Sequence, residues 1–189
     1  MNKFILFFGF MLVLGISFIP AQSADNPGLK PIINNFGARN YTDEPVTRAE
    51  LNLIIQAGIR APSAANKQPW HFTVVQNPAL VKQIVSQATD GNALIVISAA
   101  GDGKTNGPVI LDCALAAQSI YLAAQAMGLG SRIYTGPIDN LNGKYKTDLG
   151  IPSDSNAVVI VRIGRLPPGV DAVSSASPRN GAERMVTYK

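Results

Sequence analysis

The stretch from Val109 to Met127 constrains the fold most, because its few polar side chains do not line up into one wet face. At about 100° per residue, Asp112 and Ser119 share one narrow stripe and Gln118 and Gln125 another, while the remainder is apolar or alanine. The pattern predicts a long helix buried nearly all round, with alanines that let another helix approach closely. Such a helix must lie in the middle of a domain core or at a subunit interface, and Gly128-Leu129-Gly130 ends it.

The other elements arrange themselves around that helix. Asp25 to Lys30 is a polar lead-in, Pro31 to Asn40 starts a short helix or turn, and Tyr41 to Val46 runs extended. Leu51, Ile54, Ile55 and Ile59 recur at helical spacing behind a Thr47–Glu50 capping box, and Pro62 stops that helix. Phe72, Val74 and Val75 read as a buried strand. Asn77-Pro78 opens a helix over Ala79 to Ala88, and Ala93 to Ala99 is a buried strand. Gly101 to Gly107 is a polar loop whose Gly-x-Gly lacks the strand–turn–helix context and further glycine of a dinucleotide fingerprint. A short strand at Arg132 to Thr135, a helix over Asp139 to Leu149 and a strong strand at Ala157 to Gly164 follow. The expected class is α+β: three layers, with a central mixed but mainly antiparallel sheet flanked by helices. The tail, 165–189, is rich in Pro, Ser and Gly yet closes on β-formers, Met185 to Tyr188. It is expected to dock on its own sheet or, as an exchanged arm, on a partner's.

At the other end, Lys3 precedes a sixteen-residue apolar run, Phe4 to Ile19, and Ala21 and Ser23 have signal-peptidase spacing. A spanning helix needs about twenty such residues, so residues 1–23 are expected to be a cleavable signal peptide. That leaves 24–189 as one exported domain, secreted or periplasmic, with no stable membrane insertion. Cleavage takes away one lysine and no acid, lowering the formal charge from +4 to +3. The bases are scattered, without the basic stripe and interleaved aromatics of a nucleic-acid surface. Cys113, the only cysteine, excludes an intrachain disulfide, and His71, the only histidine, excludes a multi-histidine metal site.

Between the first helix and the first strand, Arg60 to Val75 holds Ser63, Asn66, Lys67 and Gln68 between Pro62 and Pro69. A polar loop pinned between two core elements presents its donors to a ligand without having to order itself first. The run Pro62, Ser63, Ala64, Ala65, Asn66, Lys67, Gln68, Pro69, Trp70 resembles the segment that crosses the flavin ring in the nitroreductase family. Further matches follow in family order. Asn35-Phe36-Gly37-Ala38-Arg39 stands where the family has Arg-x-Ser-x-Arg/Lys, and Gly128 to Ser131 looks like its Gly-Leu-Gly-Ser turn. Thr135-Gly136-Pro137 falls where its backbone meets the reactive edge of the flavin, and Pro178-Arg179 matches a late basic element.

The resemblance implies flavin mononucleotide (FMN) as cofactor, with Pro62, Ser63, Ala64, Asn66 and Gln68 at the ring and Arg39 and Arg179 converging on the phosphate. It implies a homodimeric oxidoreductase. A ping-pong hydride cycle would run from NAD(P)H or another donor to nitroaromatic, quinone or similar small acceptors. No obligatory catalytic side chain is expected, because the flavin carries the chemistry. Two departures bear on the cofactor: Asn35 replaces an arginine and Gly37 a serine, so the phosphate site lacks one charge and one hydroxyl. An exported flavin-binding protein with little or no turnover is therefore the rival reading, and an alanine-rich dimeric scaffold without cofactor is a third.

Overall fold

The computed structural model describes residues 26–104, 106–173 and 178–189, so the expected signal peptide lies outside the described residues. Four strands, β1 (Trp70–Val75), β2 (Ala93–Ala100), β3 (Gly130–Tyr134) and β4 (Ser155–Gly164), form one sheet in the order β1-β2-β4-β3. Every pairing among them is antiparallel, so the described sheet holds none of the parallel pairing expected of a mixed one. Ile95 of β2 faces Val74 on one side and Val161 on the other. The central strands β2 and β4 are runs of Val, Ile, Leu and Ala because both of their faces are covered.

Alternation along β2 distributes two cores. Ala93, Ile95, Ile97 and Ala99 face α2 (Arg48–Ile59) and α4 (Gly107–Ala126), joined by Leu51, Ile54, Ala116, Ala117 and Ile120. Leu94 and Val96 face α3 (Pro78–Ile84) and the segment after α5 (Ile138–Asn140), joined by Val81, Ile84, Leu141 and Tyr145. The result is three layers, as expected. Each fully buried Leu or Ile contributes roughly 1.5–3 kcal/mol, so the two cores carry most of the driving force. Helices α2 and α4 pack closely at Gly58, where an added Cβ would stand 2.8 Å from Ile120 Cδ1.

Local signals hold well at helix starts. Thr47 Oγ1 accepts the Glu50 N–H while Glu50 Oε2 accepts the Thr47 N–H, a complete capping box. Asn77 accepts the Leu80 N–H with Pro78 in the first turn. Helix ends depart from expectation. Helix α3 stops at Ile84 rather than Ala88, because Val85 turns extended and buries its side chain under the sheet. The helix expected over Asp139 to Leu149 is a short α turn followed by a π turn at Leu141–Tyr145, which contains Gly143. Helix α4 is not buried all round: Leu111, Ala114 and Gln118 are exposed, and Leu115 and Leu122 half-buried, along one stripe. The expected terminal strand is instead α6 (Ala182–Met185) and an exposed end, with Tyr188 92 % accessible. The last residues join neither edge of the described sheet, and their β-forming side chains stay in solvent.

Candidate functional site

The Pro62–Trp70 loop is held in a backbone shape that its residues do not favour. Ala65, Asn66 and Gln68 have φ of 51°, 55° and 48°, the left-handed region that costs a non-glycine residue of order 1 kcal/mol or more. Three ties hold it there. The buried carboxylate of Asp112, on α4, accepts the Ala64 N–H at 3.0 Å. Ser63 Oγ accepts the Gln68 N–H at 3.0 Å, and Gln68 Nε2 donates to both Asn66 O and Oδ1 at 3.2 Å. Ala64 to Gln68 are all exposed, so the strain presents polar groups to solvent rather than to the core. Trp70 lies half-buried against the core at the start of β1.

A second cluster forms around the N-terminal lead. Gln125, buried on α4, accepts the Phe36 N–H at 3.2 Å and donates to Phe36 O and Ser131 Oγ at 3.0 Å. Ala38 N–H donates to Ser131 O at 3.1 Å. These bonds seat residues 35–39 along β3. Asn35, Gly37 and Arg179 line one open cavity of about 530 Å³, together with Tyr121, Gln118, Ile133 and Arg132. The Asn35 side chain is engaged by the protein itself, donating to Ile32 O at 2.6 Å and accepting from the Tyr121 hydroxyl at 3.2 Å. Burial raises the Tyr121 phenol above its ordinary value, against the opposing influences of Gln125 and Arg179, so the hydroxyl stays a donor at neutral pH.

Arg39 does not share that cavity with Arg179, contrary to the expected convergence. It lines two neighbouring ones: a cavity of about 330 Å³ with Phe36, Gly37 and Leu166, and one of about 530 Å³ with Arg132, Arg162 and Tyr134. Gly37 and Arg132 belong to the Arg179 cavity as well, so the three spaces adjoin. Gly136 and Pro137 line a further hollow of about 360 Å³ with Tyr134 and Gln87; Thr135 is exposed beside it. The expected site residues thus fall into three groups: the strained loop, the groove along β3, and the hollow at Gly136 and Pro137 just beyond that strand. Asp112 and Tyr121 lie about 180° apart around α4 and roughly 13 Å apart along it, on opposite flanks of its exposed stripe.

Four residues that matter here were not singled out as site residues from the sequence: Asp112, Gln125, Arg132 and Arg162. Arg162 carried a readable signal, a charge inside the buried run Val158 to Ile163. It is 1 % exposed, donates to Gln87 O and Arg39 O, and lies 4.0 Å from the Tyr41 ring centroid. Burial pushes the Tyr41 phenol up to about 12 although Arg162 pulls it down, so this neighbour is a neutral ring and not a counter-charge.

Comparisons with known proteins identify the family. The model of the Nitroreductase family matches residues 38–104 and 88–165. A protein of Archaeoglobus fulgidus whose name proposes an NADH dehydrogenase/NAD(P)H nitroreductase is 32 % identical over 146 residues, covering 72 % of this chain and 83 % of its own. Among solved structures, a nitroreductase with bound FMN from Desulfitobacterium hafniense superposes with a TM-score of 0.69 at 23 % identity, over 87 % of this chain and 98 % of that one. The NADPH:FMN oxidoreductase of Vibrio harveyi, complexed with NAD+, gives 0.70 at 23 % over 86 % and 77 %. At those identities the likeness is one of fold. The family match spans most of the described domain, from the lead beside Arg39 through β4, and with the Archaeoglobus relative it decides the matter: the chain belongs to the nitroreductase family.

Proposed function

We propose that the chain is an exported, homodimeric, FMN-dependent oxidoreductase that takes electrons from a small donor and passes them to nitroaromatic, quinone or similar acceptors by a ping-pong cycle. The observation that carries the reading is the strained loop. Three left-handed non-glycine residues in one exposed segment, tied down by a buried carboxylate, are strain held where polar groups meet solvent. The residues fit the cofactor: Asn66 and Gln68 offer amide donors and acceptors for a polar ring edge, and the groove along β3 offers guanidinium groups for a phosphate, with Arg39 and Arg179 in adjoining cavities. When bound, FMN supplies the two-electron chemistry; the chain binds it, orients it and limits water around it.

The site is shared between two subunits in this reading. The loop and the groove flank the exposed apolar stripe of α4, so pairing two copies along Leu111, Ala114, Leu115 and Leu122 sets the loop of one beside the groove of the other. The same pairing covers surface that would be costly to leave wet. It also offers the 165–189 arm a partner to reach. Residues 1–23 act as the export signal, and α4, although apolar enough to cross a membrane, is a core helix.

Protein recovered from its exported form is expected to be yellow and to release FMN on denaturation. Anaerobic NADH or NADPH should bleach it, and a nitroaromatic or quinone should restore the colour. A colourless protein that takes up no added FMN overturns the reading. Bound flavin that no reductant bleaches would favour a binding protein without turnover, a role that the engaged Asn35 side chain fits.

A further inference from the structure

An arginine on an edge strand often serves only to keep that edge from pairing with another chain. Arg132, on the edge strand β3, has surroundings that such a role does not require. First, it stands directly across from Arg162 in the β3–β4 register, and like charges at opposed positions repel. Second, Arg39 joins the two arginines around one cavity whose other lining residues are Asn40, Gln87 and Tyr134, with no acidic side chain. No ion pair among the described residues includes Arg39, Arg132 or Arg162. Third, Arg162 is buried with its Nε lacking a hydrogen-bond partner, so a cation lies under the cavity without compensation from a carboxylate. Buried charge in that state is costly unless an anion approaches. Fourth, Arg132 also lines the cavity of Asn35, Gly37 and Arg179, its stem within van der Waals range of Gly37.

We propose that Arg132, with Arg39 and above the buried Arg162, binds a phosphate group, and that Arg132 supplies the guanidinium that position 35 lacks. That the phosphate belongs to FMN rests on the function proposed above. Asn35 is spent on Ile32 and Tyr121, so it does not replace the missing charge. Arg132 lines both the Asn35 cavity and the adjoining one that holds Arg39 and Arg162, so its guanidinium, the group that suits a phosphate best, stands in for the missing one from the neighbouring space.

The test is flavin titration of Arg132→Gln and Arg132→Lys by fluorescence quenching, with FMN and with riboflavin, which has no phosphate. Arg132→Gln is expected to weaken FMN roughly ten- to a hundredfold while leaving riboflavin unchanged, with Arg132→Lys in between. Circular dichroism and melting temperature check that both variants fold. Equal weakening of FMN and riboflavin, or of neither, overturns the proposal. If the wild type binds no flavin, the FMN reading fails, and inorganic phosphate then decides the anion site. A phosphate-induced rise in melting temperature that Arg132→Gln abolishes supports it, and no such rise overturns it.

Discussion

Replacing Asp112 by alanine isolates what holds the loop in its strained shape. The Asp112 carboxylate accepts the Ala64 N–H at 3.0 Å from a buried position on α4, one residue before the strained sequence Ala65-Asn66. A hydrogen bond to a charged group contributes about 1.5–3 kcal/mol, the same order as the backbone strain at two left-handed non-glycine residues. Removing it therefore brings the bent and relaxed loops near balance. We expect Asp112→Ala to lower the melting temperature by about 3–12 °C, at roughly 2–4 °C per kcal/mol for a domain of this size. FMN affinity should fall by about two- to tenfold as the competent loop drops to half of the population or less. Asp112→Asn keeps an acceptor oxygen in place and should recover much of both losses. Calorimetry, flavin titration and limited proteolysis at the loop are the assays. The opposing effect is the cost of burying the carboxylate, which alanine relieves. A melting point equal to or above that of the wild type, with unchanged cleavage and flavin affinity, would refute the view that this bond holds the loop.

Three further outcomes follow from the packing. Gly58→Ala gains about 1 kcal/mol of helix propensity but crowds the fully buried Ile120, which costs about 1–3 kcal/mol, so the melting temperature should fall; a rise would show that Ile120 yields freely. Leu111→Glu places charge on the exposed stripe of α4 and should turn a dimer into monomer in analytical ultracentrifugation, with loss of FMN in the same sample; an FMN-loaded dimer would remove that stripe from the interface. Burial, aided by the neighbouring Asp112 charge, pushes the Cys113 thiol up to about 11, leaving on the order of one thiolate in a thousand at pH 8. Ellman's reagent should therefore react only after denaturant is added, and rapid reaction of the native protein would contradict the burial of α4.

The parts of the fold that the sequence disclosed are those decided locally. The Thr47 capping box, the Asn77-Pro78 helix start and the Ala93 and Ala157 strands are each settled by residues within a few positions of one another. What escaped was set by distant partners. Val85 leaves α3 because the sheet takes its side chain, and the π turn at Leu141 depends on the core it covers. The wet stripe of α4 was unreadable because Leu111, Leu115 and Leu122 look like core residues until their neighbours are known. The site divides in the same way. The loop is a contiguous motif and stood out at once. Arg132, Gln125 and Asp112 acquire meaning only through residues some fifty to ninety positions away. Arg162 alone broke a local pattern, and its place in the register shows why it matters.

The Gln125 clamp also bears on the order in which the domain assembles. Its bonds to Phe36 span 89 positions, the Tyr121–Asn35 bond spans 86, and Ala38 waits for Ser131. Closing such long loops before the sheet exists gains little for the entropy lost. The lead that bears Asn35, Gly37 and Arg39 therefore has nothing to fasten to in a chain made from its N-terminus, until α4 and β3 have both emerged and docked. Local helices and the β1–β2 pair, joined through α3, can form early, whereas the groove along β3 belongs to the final step. Tight capture of a phosphorylated ligand would then be a property of the finished domain alone, and a chain halted before Gly130 would leave synthesis with the groove unformed.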